Sequence, residues 1–137
     1  MSVFGKKKEL FSTQQVRGIM QHFVEASYMG LDNARMQTPE HGKMCLTYMF
    51  GAVDMICQVN QFDSAKTVAL FQGLLEDILG EYSPEEAKQL TQVVLKASDT
   101  PDGQRIMREG GESLRMWIDG MTLAPHRLQE LLLEISS

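Results

Sequence analysis

Apolar side chains fill most positions between residues 44 and 57. If this stretch is helical, at about 100° per residue, its polar positions form one narrow stripe of Lys43, Thr47, Gly51, Asp54 and Gln58. A helix that is apolar around most of its circumference must be surrounded by other helices. The pattern therefore predicts a buried central helix over about residues 38–58.

Helix start signals divide the rest of the chain into shorter amphipathic helices. Ser12 and Gln15 have the spacing of a capping box, Asp63 and Ser83 are typical N-caps, and Pro125 suits the first turn of a last helix. No stretch alternates between apolar and polar residues as a strand does. We therefore expect an all-α fold: a single globular bundle of about six helices, formed by residues 12–137, with residues 1–11 loosely ordered.

The fifth helix, opened by Asp99 or Thr100 with Pro101, is predicted to bury one apolar face. That face consists of Ile106, Met107, Leu114, Trp117, Ile118 and Met121. Gly110 lies within this face, and Gly51 lies on the central helix. Glycine in a helix interior costs about 1 kcal/mol relative to alanine, and it lets another backbone come close. A tight crossing within the chain and a dimer seam explain these glycines equally well.

Composition excludes several functional classes. The net charge of −5 opposes binding to phosphates, so we expect no nucleic acid. The central helix is too short and too polar to span a bilayer, so we expect no membrane insertion. Cys45 and Cys57 lie too far apart along one helix to form a disulfide. The protein is therefore expected to be cytoplasmic.

Metal and cofactor sites are not expected. His41 and Cys45 could face one ion, but no third or fourth ligand follows at a suitable spacing. His22 and Glu25 have the reverse order of a di-iron motif, which needs two copies. The sequence also has no phosphate-binding loop and no recognisable nucleophile motif.

Two alternatives involve the polar stripe of the central helix. An apolar pocket near Tyr48, Phe50 and Trp117, with Thr47 or Asp54 orienting the ligand, would make the protein a small-ligand binder. An enzyme that uses Asp54 with His22 or His41 is a weaker alternative, because perturbed acids are often structural.

Methionine is abundant, with ten residues in 137. Most methionines lie on core faces, but four apolar residues fall outside the buried stripes: Met29, Met36, Met116 and Leu133. Flexible thioethers on a surface suit adaptable contact with a partner. The favoured hypothesis is therefore a small, non-catalytic interaction or regulatory protein that acts as a homodimer through exposed apolar residues.

Overall fold

The computed structural model describes residues 11–28, 39–77 and 82–136, and within these ranges it contains six α-helices and no strand. The helices are α1 (Thr13–Tyr28), α2 (Pro39–Val59), α3 (Ser64–Asp77), α4 (Pro84–Ala97), α5 (Pro101–Ile118) and α6 (Arg127–Ser136). The predicted all-α bundle is confirmed.

Local capping sets most of the helix starts that the structure describes. Ser12 and Gln15 form the predicted capping box, with their reciprocal bonds at 2.8 and 3.1 Å. Ser83 forms the same arrangement at the start of α4. The Asp63 carboxylate accepts a hydrogen bond from the amide of Lys66 in the first turn of α3, and the Thr100 hydroxyl accepts one from the Gly103 amide of α5. Each bond satisfies a backbone donor that has no partner within the helix.

α2 is the central helix, because it contacts all five other α-helices. The side chains of Ala52, Val53 and Cys57 are fully buried. The middle of the polar stripe is buried as well, since Thr47 is only 1% exposed and its hydroxyl donates to the Lys43 carbonyl. Gly51 lies beneath α5.

Glycine allows α2 and α5 to approach with their backbones in contact. A Cβ built on Gly51 would lie 2.0 Å from the Met107 carbonyl oxygen, and one on Gly110 would lie 1.9 Å from the Tyr48 carbonyl oxygen. No real side chain fits at these distances. Both glycines therefore serve a crossing within the chain, which decides between the two explanations that the sequence left open.

The C-terminal end of α5 departs from the prediction. Ile118 and Met121 were expected on the buried face, but they are 44% and 53% exposed. The helix ends at Ile118, and Gly120 adopts a positive φ of 101°. The Met121 amide then bonds to the Met116 carbonyl, and the Gly120 amide to the Trp117 carbonyl, as in a Schellman motif. Met121 thus lies beyond the helix rather than on its inner face.

The last helix also begins differently from the prediction. Pro125 lies in a short 3₁₀ turn, Ala124–His126, and α6 follows it from Arg127. At the other end, residues 1–10 of the segment predicted to be loosely ordered lie outside the described residues. Phe11 is described, and its amide donates to the Asn60 side chain at 2.5 Å.

Both cysteines are buried thiols on α2. Burial raises the pKa of Cys45 to about 12 and that of Cys57 above its usual value. Among the described helices, none combines the length and the apolar character needed to cross a membrane.

Candidate interaction surface

The end of α5 separates two openings on the protein surface. One lies between α1 and α5 and is called here the α1–α5 groove. It has a volume of about 840 Å³ and is lined by Phe11, Gln15, Gly18, Ile19, His22, Glu25, Ala26, Trp117 and Ile118. The other lies between α5 and the start of α6 and is called the α5–α6 cleft.

The α1 side of the groove is a straight stripe. Its lining residues recur at intervals of three and four positions, which places them on one face of the helix. Gly18 leaves open space in the middle of this stripe, because a Cβ there would meet no atom within 4 Å. The opposite wall is formed by Trp117, which is half-buried, and Ile118. The groove is therefore apolar along its floor and polar mainly at Gln15, His22 and Glu25.

Aromatic contacts connect this groove with the interior. The Phe23 ring lies 5.7 Å from the Trp117 ring and 6.1 Å from the Tyr48 ring, measured between centroids. Phe23 and Tyr48 are each 1% exposed, so Trp117 is anchored on a rigid, closely packed base. Only its outer part is available to a partner.

The α5–α6 cleft has a volume of about 570 Å³ and combines apolar with acidic residues. Its apolar lining comes from Met116, Met121, Leu123 and Ala124, and its polar lining includes Glu109, Glu112, Ser113, Thr122, Arg127 and Glu130. Leu123 is 70% exposed, and together with Met121 it gives the cleft an exposed apolar edge. The Schellman motif brings Met116 and Met121 to the same place.

Ion pairs hold the rim of the cleft in place. Arg127 on α6 contacts Glu109 at 2.6 Å, Glu134 at 3.0 Å and Glu130 at 3.1 Å, and Arg105 contacts Glu134 at 2.8 Å. The hydrogen bond from Arg127 lowers the pKa of Glu109, and the bond from Arg105 lowers that of Glu134. The network joins α5 to α6 along one side of the cleft.

Tyr48 lies behind this cleft. Its buried hydroxyl lies beside the Ser113 hydroxyl, but the contact does not reach hydrogen-bond geometry. Burial raises the pKa of Tyr48 to about 12, and the neighbouring Ser113 hydroxyl opposes part of that rise. The charged groups that act on this hydroxyl are Glu109, Arg127 and Glu130, all of which line the cleft. The tyrosine stays neutral at physiological pH.

Of the four predicted ligand-binding residues, Trp117 lines the groove, and the other three line neither of these two openings. Tyr48 and Trp117 both contact Phe23, but Thr47 bonds to its own helix and Asp54 accepts from the Gln58 amide at 2.7 Å. Phe50 points elsewhere and meets Phe71 edge to ring. Neither Thr47 nor Asp54 lines the groove or the cleft.

Of the residues of the enzyme alternative, His22 lies on α1, whereas His41 and Asp54 lie 13 residues apart on α2. Burial raises the pKa of Asp54, which the Gln58 hydrogen bond partly opposes. His22 lies on α1 in the groove, with its Nδ1 3.6 Å from the Glu25 carboxylate, and His41 lies in the first turn of α2. Across residues 11–28, 39–77 and 82–136, no three His, Cys, Asp or Glu side chains are placed to hold one metal ion.

The predicted interaction residues have different positions. Met29 and Met36 lie outside the described residues. Met116 lines the cleft, whereas Leu133 is 43% exposed on α6 and lines neither opening.

Sequence reasoning missed the exposed apolar residues Phe11, Ile118, Met121 and Leu123 as surface. The signal that was available is Gly120, because a glycine at that point ends the helix and removes Met121 from the buried face.

Comparisons with protein-family models, with curated proteins and with solved structures found no match to this chain.

Proposed function

We propose that this protein is a non-catalytic, cytoplasmic interaction or regulatory protein that acts as a homodimer through the α1–α5 groove. One observation carries the proposal: apolar residues at the end of α5 are exposed beside an apolar groove that runs along one face of α1. Exposed apolar patches of this kind usually mark interaction sites in single-domain proteins.

The groove suits a second copy of the same face. In a two-fold interface, every residue meets a counterpart fixed by the symmetry. If two α1 helices cross antiparallel at the middle of the stripe, His22 lies over the open space at Gly18 of the second copy. Gln15 then lies opposite Glu25 of the second copy, where its amide can donate to the carboxylate. Ile19 lies near the centre of such an interface, with Trp117 and Ile118 flanking it.

The test is the mass in solution of the wild type and of two matched variants. Ile118→Glu places a charge in the groove, and Val93→Glu places the same charge on α4, where the exposure is also 44%. Light scattering behind a sizing column should give about twice 15.4 kDa for the wild type and Val93→Glu. Ile118→Glu should weaken dimerisation by about tenfold or more, since burying a charge in an apolar interface is costly.

Three results would count against homodimerisation at this face. A monomeric wild type at about 100 µM, where even weak specific dimers form, would refute the dimer. Equal effects of the two variants would refute the groove as its location. Native mass spectrometry of the same peak adds a third readout, since extra non-protein mass on a monomer would favour the small-ligand alternative.

A further inference from the structure

The α5–α6 cleft has the shape of a binding groove and lies on the other side of α5 from the proposed dimer face. Its α5 wall extends from Glu109 to Met116, about 10 Å or two helical turns. Leu123 and Met121 form an exposed apolar edge, at 70% and 53% exposure. An apolar groove of this length accepts apolar side chains that recur every three or four residues on a helix.

The charge of the cleft selects the chemistry of its occupant. Three carboxylates and one guanidinium line it, and Arg115 binds Glu112 at 2.7 Å on the same rim, which leaves a net charge of −1. Arg127 is already engaged by Glu109, Glu130 and Glu134, so it has little capacity left to attract an anion. Phosphate, nucleic acid and anionic lipid are repelled by such a rim. A cation that also has an apolar body is favoured.

The methionines of the cleft allow it to bind apolar faces of different shape. Met116 and Met121 have flexible, polarizable side chains that adjust to different apolar surfaces. Acidic rims around methionine-lined grooves therefore suit helices that combine leucine-like residues on one face with lysine or arginine on the other.

We propose that the α5–α6 cleft binds a basic amphipathic helix of a partner protein, with its apolar face on Met116, Met121 and Leu123. Its basic residues then lie beside Glu112 and Glu130. This binding is independent of the proposed dimer, because it uses the other side of α5.

The probe for this proposal is a synthetic peptide of about 14 residues, long enough for three to four helical turns. It has leucine on one face and lysine on the other, and a fluorescein label for anisotropy measurements. A second peptide carries glutamate in place of every lysine. The intact chain should bind the lysine peptide saturably, and bind the glutamate peptide at least about tenfold more weakly.

Matched variants locate the binding. Leu123→Ser removes an exposed apolar side chain from the cleft, and Val59→Ser removes one of similar exposure, 61%, at the end of α2. Glu112→Lys reverses a charge at the rim, and Glu85→Lys reverses an exposed charge on α4. The two cleft variants should each weaken peptide binding about tenfold, and the two controls less than twofold.

Two outcomes would overturn the cleft proposal, and a third measurement separates it from the dimer proposal. Equal effects of Glu112→Lys and Glu85→Lys would show attraction to the overall negative charge rather than to the cleft. Absence of saturable binding up to about 1 mM peptide would also refute the cleft site, because it would place the binding free energy below about 4 kcal/mol. The Ile118→Glu variant should keep its peptide affinity even though it loses the dimer, so the peptide result does not depend on self-association.

Discussion

The glycine-rich part of α5 and its C-terminal end are built from different residues and differ in how deeply they are buried. In the first half and the middle, Gly103, Gly110 and Gly111 are buried, and two of these glycines admit the backbone of α2. At the C-terminal end, Trp117, Ile118 and Met121 are large, and two of the three are exposed. The glycines let this part of the helix pack closely against its neighbours and become buried. The last turn has bulky apolar residues on the surface, where they border the groove and the cleft.

The contrast also concerns the kind of contact that holds each part. The glycine-lined crossing is held by close backbone packing, which leaves no room for a side chain. The face of α5 towards the cleft is instead joined to α6 by ion pairs, in which Arg127 binds Glu109 and Arg105 binds Glu134. Packing of the first kind is rigid and intolerant of added atoms, whereas charged contacts at a half-exposed rim are weaker. The face of α5 towards the cleft is therefore the side of the helix where change is tolerated better.

The largest effect is expected from Gly110→Ala. An added methyl at this position would lie 1.9 Å from the Tyr48 carbonyl oxygen, so α2 and α5 must separate. Although alanine favours helices, we expect the free energy of unfolding to fall by about 3 kcal/mol. Urea denaturation followed by circular dichroism measures it.

Gly73→Ala on α3 is the control for this comparison, because nothing lies within 4 Å of the added atom. Here the better helix propensity of alanine should raise the free energy of unfolding by about 0.5–1 kcal/mol. If both substitutions had the same sign, the close crossing of α2 and α5 would be wrong.

A smaller effect is expected where α5 is held by charge. Arg127→Met should lower the free energy of unfolding by about 1–2 kcal/mol at pH 7, because it leaves Glu109 half-buried without its partner. The pKa of Glu109 is lowered in the folded protein from an ordinary 4.5. Its stabilisation is therefore present above that value and disappears as the pH falls through the lowered pKa.

The pH series supplies the check on the Arg127 prediction. The difference in unfolding free energy between wild type and Arg127→Met should shrink once the pH falls below 4.5. Arg17→Met, which removes an exposed ion pair with Asp77, should change stability by less than about 0.5 kcal/mol throughout. A difference that stays constant down to pH 3 would contradict the role assigned to Glu109.

The smallest effect is expected from Tyr48→Phe. Tyr48 lies between the α2–α5 crossing and the α5–α6 cleft. The contact of the buried hydroxyl with Ser113 does not reach hydrogen-bond geometry, so its removal should be neutral or should stabilise by up to about 1 kcal/mol. Thermal unfolding measures this change. A loss of more than about 1 kcal/mol would mean that the hydroxyl is hydrogen-bonded in the folded protein.

The fold could be predicted where local sequence determines it. The apolar run of α2 cannot be placed on a surface, and Ser12, Ser83 and Thr100 satisfy helix starts with side chains only three residues away. These effects act within one or two turns, so they are readable from a single chain.

The surface was harder to predict because it depends on where α5 extends past its neighbours. A helical wheel treats every turn alike, and it placed Ile118 and Met121 inside on the same grounds as Leu114, which is buried. The sequence also contains no sign that Arg105 meets Glu134, 29 residues later. Contacts of this range are fixed by how the helices are arranged in space.

The buried cysteines provide a chemical probe of local unfolding around α2. Alkylating reagents attack exposed thiolates, and the Cys45 thiol is both covered by surrounding helices and held protonated by its raised pKa. Iodoacetamide will therefore label Cys45 only during the rare intervals when the bundle separates around α2. The labelling rate therefore measures the free energy of this local opening without added denaturant.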